Sequence, residues 1–227
     1  MRLTKYLGNL GYGGRKSIEA DLARGRVTTI DGKILGPRDS QVDHKDIRYN
    51  GAPLDPAPGM LLMMNKPTGY TCSRKDPGPI IYDLLPERWL ARKPALSTVG
   101  RLDADTSGLL LLTDDGQLLH RLISPKSETE KVYHATLARP LSGKEEAAFT
   151  SGTLMLKEEQ KPLKPAQYEA TSETTATLTL TEGRYHQVRR MFAAMGNHVE
   201  ALHRSRVGPY SLGDLPQGEW QIITPIT

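Results

Sequence analysis

The stretch GRLDADTSGLLLLTDDG, residues 100–116, places four consecutive leucines between two groups of carboxylates. Glycine on one side and an Asp-Asp-Gly step on the other bound Leu109–Leu112 as a short buried strand. The acidic half admits three readings. Asp103, Asp105, Ser107, Gly108 and Asp114 fall at positions 1, 3, 5, 6 and 12 of an EF-hand calcium loop. The context opposes it: Pro94 and Gly100 precede the loop, a strand rather than a helix follows, and position 12 lacks the longer glutamate. A solvated turn is the second reading. The third is a rigid mount, in which Gly100 and Gly108 allow tight backbone and the leucines anchor one aspartate for chemistry. An ionised aspartate attacks an electrophilic carbon when a cation keeps it charged.

Such a cation is available in EGRYHQVRRMF, residues 182–192. In HQVRRMFAAMGN, Val188, Met191, Phe192 and Met195 recur at helical spacing and Gly196 supplies the stop. With Val188 at the centre of the apolar face, Arg189 lies about 100° round the helix and Arg190 about 200°. Arg189 therefore reaches inward from the core margin, and Arg190 points outward.

Working outward, MLLMMNKPTG (60–69) begins as a buried strand and ends in a turn carrying Lys66. In TATLTLTEG, Ala176, Leu178 and Leu180 alternate with threonines, the pattern of a half-buried antiparallel strand. Strands and helices intermix without a βαβ rhythm, which predicts an α+β domain with a mainly antiparallel mixed sheet and flanking helices. At the N-terminus, Leu3, Tyr6, Leu7 and Leu10, then Ile18 and Leu22, mark two short helices, and the Asp31-Gly32 step marks a hairpin. GAPLDPAPG, residues 51–59, reads as a linker. The expected organisation is a small module at 1–50, a linker at 51–59 and a larger domain at 60–227.

The chain has 227 residues and a formal net charge of +4. Residues 1–36 carry seven Lys or Arg against three acids, so this module alone accounts for the excess. A basic module beside a neutral body suits an anionic polymer. A single cysteine, Cys72, excludes internal disulfides and cysteine-rich metal sites, and the longest apolar runs are too short to cross a bilayer. These features lead to the expectation of a cytoplasmic protein, monomeric by default. No phosphate-binding loop or dinucleotide fingerprint occurs, and His198 and His203 are spaced to diverge on a helix, so no cofactor or metal is expected.

Taken together, NKPTGY, GRLDADTSGLLLLTDDG, EKVY, EGRYHQVRRMFAAMGNHV and LHRSRVG resemble, in order and over nearly the whole chain, the RsuA branch of the RsuA/RluA pseudouridine synthases. The N-terminal segment resembles their S4 RNA-binding module, with Gly14-Arg15 in place of the usual Ser-Arg and a longer hairpin. The resemblance implies that Asp103 is the catalytic aspartate, Arg189 the basic residue paired with it, Tyr133 the tyrosine against the uracil ring and Arg101 the arginine that fills the space left by the extracted base. Arg15, Lys16, Arg24, Arg26, Arg184 and Arg190 are the expected RNA contacts, and Lys66 a structural support. The implied partner is ribosomal RNA or a partly assembled subunit, most closely the 16S RNA of the small subunit. A 23S RNA enzyme and a non-catalytic RNA-binding or ribosome-assembly protein are the alternatives.

Overall fold

A computed structural model describes residues 1–39, 41–124 and 127–226 of the chain. Its strands, numbered along the chain, are β1 (Val27–Thr29), β2 (Ile47–Tyr49), β3 (Ala52–Pro53), β4 (Leu61–Lys66), β5 (Ser97–Thr98), β6 (Thr106–Thr113), β7 (Lys131–Leu137), β8 (Gln167–Ala170), β9 (Thr175–Leu180), β10 (Val199–Val207), β11 (Tyr210–Ser211) and β12 (Trp220–Ile223). The helices are α1 (Leu3–Asn9), α2 (Arg15–Ala23), α3 (Gly116–Ile123), α4 (Glu145–Thr150) and α5 (Gln187–Ala194).

The leucine run forms the middle of β6, and its uninterrupted apolar character has a simple cause. Leu110 and Leu112 pack with Leu62, Met64, Ile81 and Trp89 on one face. Leu109 and Leu111 pack with Leu61, Met63, Leu118 and Val207 on the other. A strand buried on both faces has no solvent side to make polar. β6 pairs antiparallel with β4 and parallel with β10, and the large sheet runs β12-β4-β6-β10-β7-β9-β8. The other pairings in this sheet are antiparallel, as expected for an α+β domain. Towards the β8 end one face stays polar: Ala176, Leu178 and Leu180 of β9 face a core with Val188, Met191 and Phe192 of α5, while the threonines between them face outward.

The 103–114 segment also disposes of the calcium reading. Residues 106–113 are extended, so the β-strand rise separates Asp103 from Asp114 by roughly 25 Å. Asp114 is instead buried against Arg92, with Nη2 at 2.7 Å from Oδ2. His198 and His203 are not on a helix: His203 lies in β10, with Nδ1 2.9 Å from the Ser107 hydroxyl.

The N-terminal helices pack Leu3, Leu7, Ile18 and Leu22 against Val27, Leu35 and Ile47 of a separate three-stranded sheet. The hairpin at Asp31-Gly32 forms, with Thr29 N–H donating to Lys33 O at 2.8 Å and Leu35 N–H to Val27 O at 2.9 Å, and β1 takes β2 as its partner on the other side. The proline-rich stretch is not a free tether. Ala52–Pro53 adds to the small sheet as β3. Beyond it, Arg92 donates to Pro56 O at 2.9 Å and Ala57 O at 3.2 Å, and Gly59 N–H donates to Asp114 Oδ1 at 2.8 Å. Prolines leave strong carbonyl acceptors without competing donors, and Arg92 collects them. The module is held nearby as well: Arg88 lies 4.3 Å over the Tyr12 ring and pairs with Asp55 at 3.0 Å. At Gly11, with φ +94°, a Cβ would meet Arg88 O at 2.2 Å, so only glycine permits this approach.

Replacing Asp114 with alanine strands the buried Arg92 guanidinium. The expected loss is about 3–5 kcal/mol of unfolding free energy in urea titrations. A loss under about 1 kcal/mol would show that this pair does not secure the joint.

Candidate active site

A single row of side chains crosses the large sheet at one level. Lys66 of β4 is opposite Gly108 of β6, Gly108 opposite Arg204 of β10, Arg204 opposite Tyr133 of β7, and Tyr133 opposite Leu178 of β9. Residues in register project to the same face. Gly108 is what allows the row to exist: at φ +108°, a Cβ would lie 2.2 Å from Arg204 O.

On this face lies a cavity of about 800 Å³ lined by Arg101, Asp103, Lys131, Tyr133, His186 and Arg204, among others. That volume suits a small organic ligand. Asp103 stands in the turn that leads into β6, closed by Thr106 N–H donating to Asp103 O at 3.1 Å. Lys66, fully buried, braces this turn from below. Its ammonium donates to Pro67 O at 2.9 Å, Asp103 O at 3.0 Å, Thr106 O at 2.9 Å and, more weakly, Ala104 O at 3.4 Å. Burial lowers the Lys66 ammonium from the ordinary lysine value, while the nearby Cys72, Asp105 and Asp103 oppose that shift.

The carboxylate of Asp103 does not meet Arg189. Its Oδ1 lies 3.3 Å from His186 Nε2, whereas Arg189 Nη2 pairs with Asp105 Oδ2 at 2.9 Å. Arg189 also donates to Val199 O at 2.8 Å and to Asp105 O at 3.2 Å. With those acceptors to hand on β10 and the turn, its guanidinium ties α5 to the loop, and the Asp103 side chain is left facing His186. His186 itself adopts left-handed backbone, φ +47° and ψ +36°, a conformation that few residues other than glycine take and that histidine takes more often than most.

Tyr133 is half-buried on the cavity wall, with its hydroxyl 3.5 Å from Arg204 Nη1. Arg204 is 2% exposed, donates Nε–H to Leu109 O at 2.9 Å, and has no hydrogen-bond partner for Nη2. Among the described residues no carboxylate lies within ion-pair distance of it. An uncompensated buried cation is costly, and such groups concentrate at functional sites. Sequence reading missed it, although LHRSRVG carries the signal: Arg204 shares strand parity with buried Leu202, so a charge stands where the alternation requires an apolar residue.

Arg101 is exposed at the cavity lining. Arg184 and Arg190, expected to meet RNA, spend their donors within the protein. Both pair with Glu159, at 3.0 and 2.8 Å, and both donate to backbone carbonyls of the 157–162 loop. Hydrogen bonding from Arg190 is the leading cause that holds the Glu159 carboxyl below its usual value. On α2 and after it, Arg15 pairs with Glu19 at 2.9 Å and Arg26 with Asp21 at 2.8 Å, Arg24 lies 4.0 Å from Asp21, and Lys16 is exposed. The exposed Arg15–Glu19 pair is worth about 0–1 kcal/mol, whereas Asp21 is partly buried and also accepts from the Tyr49 hydroxyl.

Comparison with known proteins adds to this geometry. A family model described as RNA pseudouridylate synthase matches residues 60–194. Ribosomal small subunit pseudouridine synthase A of Escherichia coli (strain K12) is 41% identical, over 99% of this chain and 96% of that protein. The protein of the same name from Yersinia pestis is 42% identical, over 99% and 95%. A crystal structure of a pseudouridylate synthase superposes with a TM-score of 0.68 at 39% identity, covering 99% of this chain and 96% of that one.

If Lys66 fixes the turn, Lys66→Met leaves its buried carbonyls without a donor. It should lower stability by about 2 kcal/mol and loosen the 103–106 backbone, read as faster amide exchange there. Unchanged exchange would remove Lys66 from this role.

Proposed function

Because the chain belongs to the RNA pseudouridylate synthase family, we propose that it isomerises one uridine of small-subunit ribosomal RNA, the 16S species, with Asp103 as the catalytic carboxylate. The observation that carries the assignment is the cavity in which the Asp103 carboxylate, the Tyr133 ring and the uncompensated Arg204 cation converge. The near-full-length likeness to small-subunit enzymes supports the substrate. The reaction takes place in the cytoplasm, where such RNA is made and assembled.

The chemistry needs no oxidant or energy source. The bond between C1′ and N1 breaks, the freed uracil turns within the pocket, and C5 bonds to C1′. C5 gives up its proton and N1 gains one, so the product is an isomer of the substrate. The target atoms are inaccessible in stacked RNA, so the uridine is flipped into the cavity, and aromatic contact offsets the lost stacking. Asp103 engages the nucleotide as the glycosidic bond breaks. His186, 3.3 Å away, orients its carboxylate. Tyr133 stacks on the uracil and assists removal of the C5 proton. While the base is detached its ring holds extra electron density, and Arg204 supplies the opposing charge from a site that is already desolvated. Arg101 at the mouth occupies the space the uridine leaves in the RNA. Arg15, Lys16, Arg24 and Arg26 bind phosphates and so position the RNA without reading its sequence.

The direct test incubates the purified protein with unmodified 16S transcript, 23S transcript and partly assembled small subunits, and maps pseudouridine by carbodiimide-dependent reverse-transcription stops. One stop in 16S RNA, lost in Asp103→Asn, is the expected result; wild-type turnover by Asp103→Asn would reject the assignment. Arg204 gives a second check. Replacing Arg204 by an apolar side chain of similar volume removes a buried charge and gives up its hydrogen bond to Leu109 O. Arg204→Met should therefore still fold, with a loss of about 1–2 kcal/mol, and yet turn over about a hundredfold more slowly. Full activity in that variant would remove Arg204 from the reaction.

A further inference from the structure

Eight of the nine tyrosines are buried or half-buried, and Tyr185 alone stands out, 72% exposed at the lining of the Asp103 cavity. Its ring is stacked on His186, with centroids 3.9 Å apart and planes within 15°. The segment that holds it is clamped on both sides. Before it, Arg184 donates to Glu182, Glu159, Lys161 O and Pro162 O. After it, buried Gln187 accepts from Arg184 N–H at 2.9 Å and donates to Glu182 Oε1 at 3.0 Å. Between these anchors His186 takes its left-handed backbone, with its imidazole between the Tyr185 ring and the Asp103 carboxylate. An aromatic face held rigidly in solvent at the edge of a cavity is not packing, because it buries little of its own surface. It is a prepared surface for another flat ring.

We propose that Tyr185, backed by His186, is a nucleobase-stacking subsite that takes a base flanking the flipped uridine. The proposal rests on the pseudouridine-forming reading of the cavity. A strand of RNA whose uridine enters the pocket must pass its neighbours across the rim, and an unstacked neighbour exposes the face that Tyr185 complements. Stacking on an aromatic side chain tolerates any base, so this subsite contributes affinity and placement rather than sequence readout. It also lies one ring away from the chemistry: a base on Tyr185 restrains the stack, the stack restrains His186, and His186 contacts Asp103.

The test uses steady-state kinetics on the RNA that carries the mapped site, with the intact protein and the variants Tyr185→Ala and Tyr185→Phe. Loss of one stacked base raises KM by about tenfold to a hundredfold, and Tyr185→Phe, which retains the ring, restores it. In parallel, each nucleotide within three positions of the target is replaced in turn by an abasic residue. The expected result is one flanking position whose abasic form impairs the wild-type protein by a similar factor and impairs Tyr185→Ala no further. Two outcomes overturn the proposal while leaving the activity intact: wild-type KM in Tyr185→Ala, or abasic positions that impair both proteins equally. A defect seen only on assembled particles and not on naked RNA also overturns it, and assigns Tyr185 to a protein contact. Absence of pseudouridine with the wild-type protein on every substrate would instead strike the reading of the cavity itself.

Discussion

The arrangement depends on a glycine between two buried cations. Gly108 has Lys66 opposite it on one neighbouring strand and Arg204 on the other, and it can approach the Arg204 backbone because it has no side chain. Any Cβ there would push β10 away from β6, and with it would go the level at which Tyr133 faces Arg204. Two positive groups in one buried row would ordinarily be expelled. They stay because their roles differ. Lys66 is saturated by carbonyls of the Asp103 turn, so its charge is absorbed by the loop that it shapes. Arg204 keeps an unused donor beside the cavity, so its charge remains available. The same row therefore builds the turn and sets the electrostatics of the space above it.

The leucine run and the Asp103 loop belong to one structural unit for this reason. Burial of Leu109–Leu112 on both faces leaves β6 no freedom to slip, since a shift by one residue would exchange the two cores it joins. A strand fixed in register fixes the residue that precedes it. Asp103 owes its position to packing some distance along the chain, which is how a short acidic turn can hold a carboxylate still while leaving it about one-third exposed.

Much of this was legible in the sequence because it is periodic or compositional. The alternation of Ala176, Leu178 and Leu180 with threonine, the helical spacing of Val188, Met191 and Phe192, and the leucine run each report burial directly. Partner choice was not legible. Helical geometry correctly brought Arg189 to the core margin, but whether it met Asp103 or Asp105 depended on how the 103–106 turn presents two carboxylates that are two residues apart. That Arg184 and Arg190 share Glu159 was not legible either, because that carboxylate lies on a loop about 25 to 31 residues earlier. Proline content indicated a linker at 51–59, yet it could not reveal that Arg92 and Asp114 would gather that segment's polar groups.

That last contact bears on how RNA would be held. A linker whose carbonyls are bound by a buried arginine, beside a module whose Tyr12 lies under Arg88, has little freedom to swing. On the proposed reading, phosphates on Arg15, Lys16, Arg24 and Arg26 and the uridine in the cavity are then separated by a set span. Such contacts carry no base information individually. A fixed distance between them does discriminate, because only an RNA fold that presents a strippable uridine at that distance from a phosphate track satisfies both at once. Specificity would then reside in the joint between the two parts as much as in the pocket, which gives a physical reason for burying an ion pair where a flexible tether would have sufficed to connect them.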